Sequence, residues 1–472
     1  MIEMNLQRDT KKRIYFLAIC GTAMASLAAM MKAKDYEVYG VDEGIYPPMS
    51  DFLAEQKIPV FDGFDPGHLV PAPDLVVVGN VISRGNVELE EILDRHIPYI
   101  SLPDALRDFI IRGKRSIVVT GTHGKTTTTS MLAWIFDCAE RHPSFMVGGI
   151  PKNFGRGFQL DNGDDFIIEG DEYDSAYFDK VAKFLRYIPD IGIINAIEFD
   201  HADIYDSLDD IKLAFRRFVN LIPRSGLLVA CKDDANTMEI AEKAFCPVAT
   251  FGLAADADWR GAMIESAAQG IQFNVYKNHD LWGQISLLMP GEHNVRNALA
   301  AIAVADFAGI PKATILHALA TYQGVKRRLE LVGSVNGLDI YDDFGHHPTA
   351  IRETLAAFRA QHPNRRIWAL YEPRSATSRR NIFQKQFAES FDDADFILVA
   401  PVHRPDKAPP DQLFSVQQLA EDLEKRGKSG NCLTVEDMVK FIKERAQKDD
   451  VIITFSNGPF DGIHEHLLNG LR

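Results

Sequence analysis

The sequence predicts an α/β protein of three domains. Residues 1–112 form a Rossmann-like domain, residues 113–325 a central P-loop domain, and residues 326–472 a second, doubly wound Rossmann-like domain. Three observations lead there. Short apolar or β-branched runs alternate with helical patterns along the chain, as in parallel sheets whose strands are joined by helices. Most of these runs end in polar or Gly-rich residues, the position where open α/β sheets carry their sites. One run, Ser116 to Thr120, passes into Gly121-Thr-His-Gly-Lys-Thr-Thr-Thr128 and then a helical pattern from Met131 to Cys138.

That third stretch is a recipe for holding polyphosphate. Gly121 and Gly124 let the backbone curl with its N–H groups inward, and the following helix N-terminus adds partial positive charge. Lys125 is placed to reach the terminal phosphates of a nucleoside triphosphate, and Thr126 to offer its hydroxyl to Mg²⁺. The usual first Gly of such a loop falls at Val119, so a plain strand–turn–helix also fits.

In the first domain, Arg13 to Ile19 is an apolar run, Cys20 to Ala23 a small-residue turn, and Met24 to Lys34 a helical pattern. Glu37 to Asp42 reads as a strand ending in an acid. This βαβ start keeps only Gly21 of a dinucleotide fingerprint and fits an ordinary β–α corner equally well. Asp74 to Asn80 is a clearer strand, with Asn80 and Ser83 just past its end, and Pro103 to Arg115 reads as a helix and charged link.

In the central domain, Asp165 to Asp174 is a strand running into acids. A carboxylate there suits Mg²⁺, with Glu172 the leading candidate; Asp171 and Asp174 read as solvated turn residues. Ile191 to Asp203 ends in Asn195, Glu198, Asp200, His201 and Asp203, and His201 beside a nucleotide site reads as a ligand. Gly291 opens a small-residue helix on which Asn294 and Asn297 share a face. They read either as amides for an adenine edge or as surface residues of a capped helix.

The third domain starts near the basic Lys326-Arg327-Arg328, a hinge suited to touching phosphate. Leu338 to Pro348 is a strand ending in acids and histidines, with Pro348 opening a helix from Thr349 to Phe358. Arg366–Ser375, Asp395–Pro401 and Asp450–Gly458 are further buried-type strands.

Composition narrows the partners. With 46% apolar and 25% charged residues the chain is globular, and a formal charge of −15 argues against bulk affinity for nucleic acid or anionic membranes. Cys20, Cys138, Cys231, Cys246 and Cys432 show no metal-ligand or redox spacing, which suits a reducing compartment. Met1 to Lys12 lacks the apolar segment of a signal peptide, and no apolar run approaches the ~18 residues of a membrane span. A cytoplasmic protein is expected. No Ser–His or Cys–His arrangement suggests covalent catalysis. Positioning and charge neutralisation around a nucleotide suffice for phosphoryl transfer, and three domains suit a ligase that holds an acid, ATP and an amine separately.

The motifs Gly121–Thr128, Glu169–Asp174, Glu198–Asp203, Gly291–Asn297 and Asp342–Pro348, in this order, resemble the series of the Mur ligases, and the resemblance covers nearly the whole chain. It implies ATP and Mg²⁺ as cofactors. It also implies an amide ligase acting on UDP-N-acetylmuramate through an acyl phosphate. Ile19–Thr22, Tyr46–Ser50 and Glu372–Ser375 favour the branch that adds the tripeptide L-alanyl-γ-D-glutamyl-meso-diaminopimelate in cell-wall recycling, over the branch that adds single L-alanine.

The resemblance also implies roles for individual residues. Gly121, Thr122, His123, Gly124, Lys125, Thr126 and Thr127 would hold phosphates. Thr126 and Glu172 would serve one Mg²⁺ and His201 a second. Asn294 would contact adenine, Arg328 the γ-phosphate and Asp343 the ribose. Gly21, Thr22, Asp42, Asn80 and Ser83 would carry the UDP group. His347 would face the central cleft with the peptide. Phe215 stands where several relatives have a carbamylated Lys, so no such modification is expected. Arg374 is the expected partner of the peptide carboxylates; Arg379 and Arg380 read equally well as solvated cations. A folylpolyglutamate synthetase-like ligase is disfavoured by the first domain and the His-His-Pro segment. A nucleotide switch would hydrolyse ATP without both substrates, and loss of glycines around Gly21 argues against a dehydrogenase.

Overall fold

The computed structural model describes residues 12–266 and 270–472. All of the segment Met1 to Lys12 read for a signal peptide, save Lys12, lies outside the described residues.

The first sheet contains β1 (Arg13–Leu17), β2 (Glu37–Asp42), β3 (Val60–Asp62), β4 (Leu75–Val78) and β5 (Tyr99–Ser101), ordered β3-β2-β1-β4-β5 and parallel throughout. Helix α1 (Thr22–Ala33) follows β1 and begins two residues before the predicted Met24. Parallel pairing puts the C-terminal ends of β1, β2 and β4 on one edge, with Gly21, Asp42 and Asn80. The predicted helix Pro103–Arg115 is shorter. A turn of α-helix, Leu102–Ala105, passes into a π-turn, Leu106–Ile111, and Arg115 already belongs to the next strand.

The central sheet has ten strands. They are β6 (Arg115–Thr120), β7 (Ser144–Met146), β8 (Phe158–Gln159), β9 (Asp165–Glu169), β10 (Ile191–Ile194), β11 (Leu227–Cys231), β12 (Val248–Gly252), β13 (Trp259–Ser266), β14 (Ile271–Lys277) and β15 (Asp280–Leu287). Their order is β15-β14-β13-β12-β11-β10-β6-β9-β7-β8. The middle is parallel, and β13–β15 form an antiparallel extension that the strand-and-helix reading did not single out. Between β6 and β7, helix α2 spans Lys125–Cys138 and so starts six residues before the predicted Met131. Its four threonines are poor helix formers, but burial and side-chain bonds hold them. Thr129 donates to the Lys125 carbonyl (2.7 Å), Thr128 to Asn297 (3.2 Å) and Thr126 to Glu169 (2.9 Å). Helix α3 (Glu292–Phe307) packs against α2.

The third sheet contains β16 (Glu330–Val335), β17 (Leu338–Asp343), β18 (Ile367–Tyr371), β19 (Phe396–Val399), β20 (Ser429–Cys432) and β21 (Val451–Phe455), ordered β16-β17-β21-β18-β19-β20. It is parallel except for β16, an antiparallel edge strand on the doubly wound sheet. Helix α4 runs Pro348–Gln361, three residues past the predicted Phe358.

One apolar cluster joins the first two units. Phe16, Leu27, Leu106 and Ile110 pack in it with Phe166, Ile194 and Phe215. Phe215 is fully buried against Phe184, ring centroids 5.2 Å apart. The third unit keeps its own clusters, one around Ile351, Phe387 and Ile453 and one around Ile340, Trp368 and Ile463. Its contact with the central unit is mostly polar. Thr377 donates to Asp200 (2.8 Å), Arg380 to the Ala202 carbonyl (2.7 Å) and Thr349 to Glu198 (2.7 Å), beside Phe199 and Phe383. No helix among the described residues is long and apolar enough to cross a membrane.

Candidate active site

Strand β6 delivers the loop at its C-terminal end. Gly121 (φ +115°) and Gly124 (φ +78°) take backbone conformations that side-chain-bearing residues rarely adopt. A Cβ on Gly121 would lie 2.9 Å from the Asn195 and Ala196 nitrogens. Thr122 N–H donates to the Ala196 carbonyl, and the Thr122 hydroxyl accepts from Glu198 N–H (2.9 Å) and faces the Glu198 carbonyl. Asn195 Nδ2 donates to the His123 carbonyl (3.1 Å). The strand-end loop after β10 is therefore the floor of the phosphate loop.

Lys125 Nζ donates to the Gly121 carbonyl (2.7 Å) and to both Glu172 oxygens (2.8 and 3.2 Å). Burial disfavours its charge, but Glu172, Asp171 and Glu169 outweigh that and raise its pKa. The Thr126 hydroxyl donates to Glu169, not to Glu172. Glu169 was missed in the sequence, being the last residue of an apolar strand; the pairing of Val119 with Glu169 brings it to the loop. Asp171 lies in an irregular segment with its side chain 32% exposed, but it is not free. Lys183, twelve residues later, holds it at 2.6 Å, and Lys183 and Lys125 together overcome burial to keep its carboxyl down at about 2. Asp174 pairs with the exposed Lys180 (2.9 Å).

His201 sits at φ +55° with Nε2 3.8 Å from Glu172. Burial lowers its pKa, but Glu172 and Asp200 more than compensate, so the ring is held toward its charged form. Ligand atoms of Asp171, Glu172 and His201 lie within 4.8 Å of one another.

Across the interdomain contact, His347 caps α4, its Nδ1 accepting from Thr349 N–H (3.3 Å) and lying 3.6 Å from Glu198. It sits with the phosphate-loop residue His123 (ring centroids 4.8 Å), and its Nε2 is buried without a partner among the described residues. Burial, with the His123 charge second, pushes His347 down to about 4. The unfolded chain, with a His pKa near ~6.5, then takes up the proton first as pH falls, so stability is lost between about pH 6.5 and 4. His347→Gln should reduce the stability lost between pH 7 and pH 5 by about 2 kcal/mol, read from denaturant midpoints; His293 and His346, also lowered by burial, keep part of the dependence. Equal losses in both proteins would show that His347 titrates normally.

The other predicted residues separate by place. Asn294 and Asn297 are buried, not surface amides. Asn294 donates to the Pro290 carbonyl (2.7 Å), and Asn297 bonds Asn294 and accepts from Thr128. Asp343 is buried and accepts from the backbone N–H of Leu329 (2.8 Å) and Gly345 (2.7 Å); burial raises its pKa. The guanidinium of Arg328 lies over Phe344 (5.2 Å). Arg327 is a structural tie rather than a phosphate-touching hinge residue, paired with Asp342 (2.8 Å) and the Ser456 and Gly458 carbonyls. Arg374 lies over Gly458 and pairs with the buried Glu372 (3.4 Å). In the first unit, Asp42 accepts from Cys20 N–H (2.6 Å), α1 starts at Gly21 and Thr22 without a side-chain cap, and Asn80 and Ser83 are exposed on the same sheet edge.

Residues 13–114 match the "Mur ligase family, catalytic domain", residues 119–305 the "Mur ligase middle domain", and residues 327–458 the "Mur ligase, glutamate ligase domain". The UDP-N-acetylmuramate–L-alanyl-γ-D-glutamyl-meso-2,6-diaminoheptandioate ligase of Escherichia coli (strain K12) is 40% identical over 97% of this chain and 98% of its own. The chain belongs to the Mur ligase family. The crystal structure of a murein peptide ligase from Psychrobacter arcticus 273-4 superposes with a TM-score of 0.72 at 36% identity, over 98% of each chain. The UDP-N-acetylmuramate–L-alanine ligase of Clostridium acetobutylicum is 33% identical over 99% of this chain and 100% of its own.

For a Mur ligase, the donors present fit a hard divalent cation. Two carboxylates, Asp171 and Glu172, and the His201 imidazole converge beside Lys125, while the Thr126 hydroxyl is held by Glu169. In this structure Lys125 neutralises Glu172 at 2.8 Å.

Proposed function

We propose that this Mur ligase joins UDP-N-acetylmuramate to L-alanyl-γ-D-glutamyl-meso-diaminopimelate with ATP and Mg²⁺, as a cytoplasmic enzyme of cell-wall peptide recycling that serves cell shape and division. The near full-length likeness to the E. coli tripeptide ligase carries this reading, with 40% identity against 33% for the alanine-adding relative. The units at 1–112, 113–325 and 326–472 would hold the UDP-sugar, ATP and peptide respectively. The UDP group would lie at Gly21, Thr22, Asp42, Asn80 and Ser83.

In the first step a muramyl carboxylate oxygen bonds to the γ-phosphorus and the bond to ADP breaks. The peptide amine then attacks the acyl carbon, phosphate leaves, and the nitrogen sheds a proton. Lys125 and Arg328 offset charge on the transferring group, and the phosphate loop from Gly121 to Thr127 holds it in line. Thr126, Glu172 and His201 would hold Mg²⁺, which when bound neutralises phosphate charge. Asn294 would border the base, Asp343 the ribose, and His347 and Arg374 the peptide.

The test is ADP release with UDP-N-acetylmuramate and either tripeptide or L-alanine. Faster turnover with tripeptide is expected; faster turnover with L-alanine would assign the enzyme to the alanine-adding branch.

A further inference from the structure

Arg379 and Arg404 have no role in the reading above. The backbone fixes where they sit. Arg379 N–H donates to the Ser375 carbonyl (3.1 Å) and its own carbonyl accepts from Phe414 N–H (2.8 Å), which closes a turn just after Arg374 and ties it to residue 414. His403 N–H donates to the Pro373 carbonyl (3.0 Å), which brings residues 403–404 alongside Arg374. Arg404 is held at φ +49° at the start of a short 3₁₀ turn, with its side chain exposed.

The charge balance of this loop cluster is uneven. Glu372 faces Arg374 (3.4 Å) and His403 (3.7 Å) and is further tied by the Ser456 hydroxyl. Neither Arg379 nor Arg404 makes an ion pair with any described residue, and Arg379 Nε is buried with no hydrogen-bond partner among them. Burial, then the charges of Arg374 and Arg404, lower the Arg379 pKa, while Asp406 and Asp203 act against that. The buried Nε–H of Arg379 has no hydrogen-bonded anion among the described residues, and a carboxylate matches the fork of donors a guanidinium presents.

We propose that Arg379 and Arg404 join Arg374 in one cationic receptor for a polycarboxylate amine, which gives the incoming peptide its advantage over a single amino acid. The inference rests on the tripeptide reading and names the side chains that select it. Arg379 lies toward the central unit, near Asp203 and next to the Arg380–Ala202 contact, and Arg404 lies outward.

Steady-state kinetics on the full-length enzyme test this, with ATP and UDP-N-acetylmuramate saturating. Arg379→Ala and Arg404→Ala should each raise the tripeptide KM about 10-fold or more, with the ATP KM changed less than about twofold. The penalty should shrink for a tripeptide carrying lysine in place of diaminopimelate, which has one carboxylate fewer, and Arg379→Lys should restore part of the loss. Arg404 is exposed, so its variant reports even if Arg379→Ala folds poorly. An unchanged tripeptide KM in Arg404→Ala, with wild-type enzyme still using tripeptide, overturns the receptor alone. A wild-type enzyme that turns over L-alanine but not tripeptide overturns the underlying reading.

Discussion

Replacing Lys125 with alanine is expected to lower kcat/KM by about a thousandfold while UDP-N-acetylmuramate still binds. Lys125 is the first residue of α2, so its charge adds to the helix N-terminus at the point where phosphate charge develops. Its neighbours among the described residues are already engaged: Lys183 is tied to Asp171 (2.6 Å), His201 faces Glu172 (3.8 Å), and Arg328 comes from another domain. The variant also leaves Glu172, 3% exposed, without its 2.8 Å partner, at a cost of about 3 kcal/mol. Calorimetric titration with UDP-N-acetylmuramate checks the separation of sites. Loss of that binding together with turnover would mean that the two substrates share one site.

Gly124→Ala is expected to act through shape, with no change in charge. At φ +78°, a side chain costs about 1 kcal/mol from backbone strain alone. The new Cβ would stand 2.3 Å from Asn297 Oδ1 and 2.6 Å from Asn195 Nδ2, both buried. Those amides would have to give up their bonds to Thr128 and to the His123 carbonyl, for a total near 3 kcal/mol. That corresponds to a fall in Tm of roughly 6 to 12 °C for a unit of this size, with ATP-dependent turnover lost as well. Scanning calorimetry and ADP release together check it; a variant with wild-type Tm would show that the loop has room for a methyl group.

The phosphate loop was legible because its chemistry demands fixed residue types at fixed spacing. Val119 looked like a missing glycine, yet it is a fully buried strand residue that pairs with Ile193 and accepts from Gly170 N–H, and the loop proper starts at Gly121. The parallel sheets were legible because strands buried on both faces read as unbroken apolar runs. Partnerships set by tertiary packing were not legible. Glu169 reached Thr126 through sheet register, Asp171 found Lys183 across a hairpin, and Asn294 turned inward to a carbonyl four residues back. Arg379 and Arg380, adjacent in sequence and alike in charge, parted ways. Arg380 holds the Ala202 carbonyl, and Arg379 keeps a buried donor with no partner among the described residues. The antiparallel extension β13–β15 alternates apolar and exposed residues, a period-two signal weaker than the runs around it.

The first and central units share one apolar cluster, whereas the third keeps its clusters to itself and meets its neighbour largely through Thr377, Arg380 and Thr349. A boundary of that kind is modular. A graft that keeps these three side chains, their acceptors on the central unit and the Phe199–Phe383 contact preserves most of the join with little apolar surface to refit. On the proposed division of roles, transplanting residues 326–472 as a cassette is expected to exchange what is added while the other two units stay as they are.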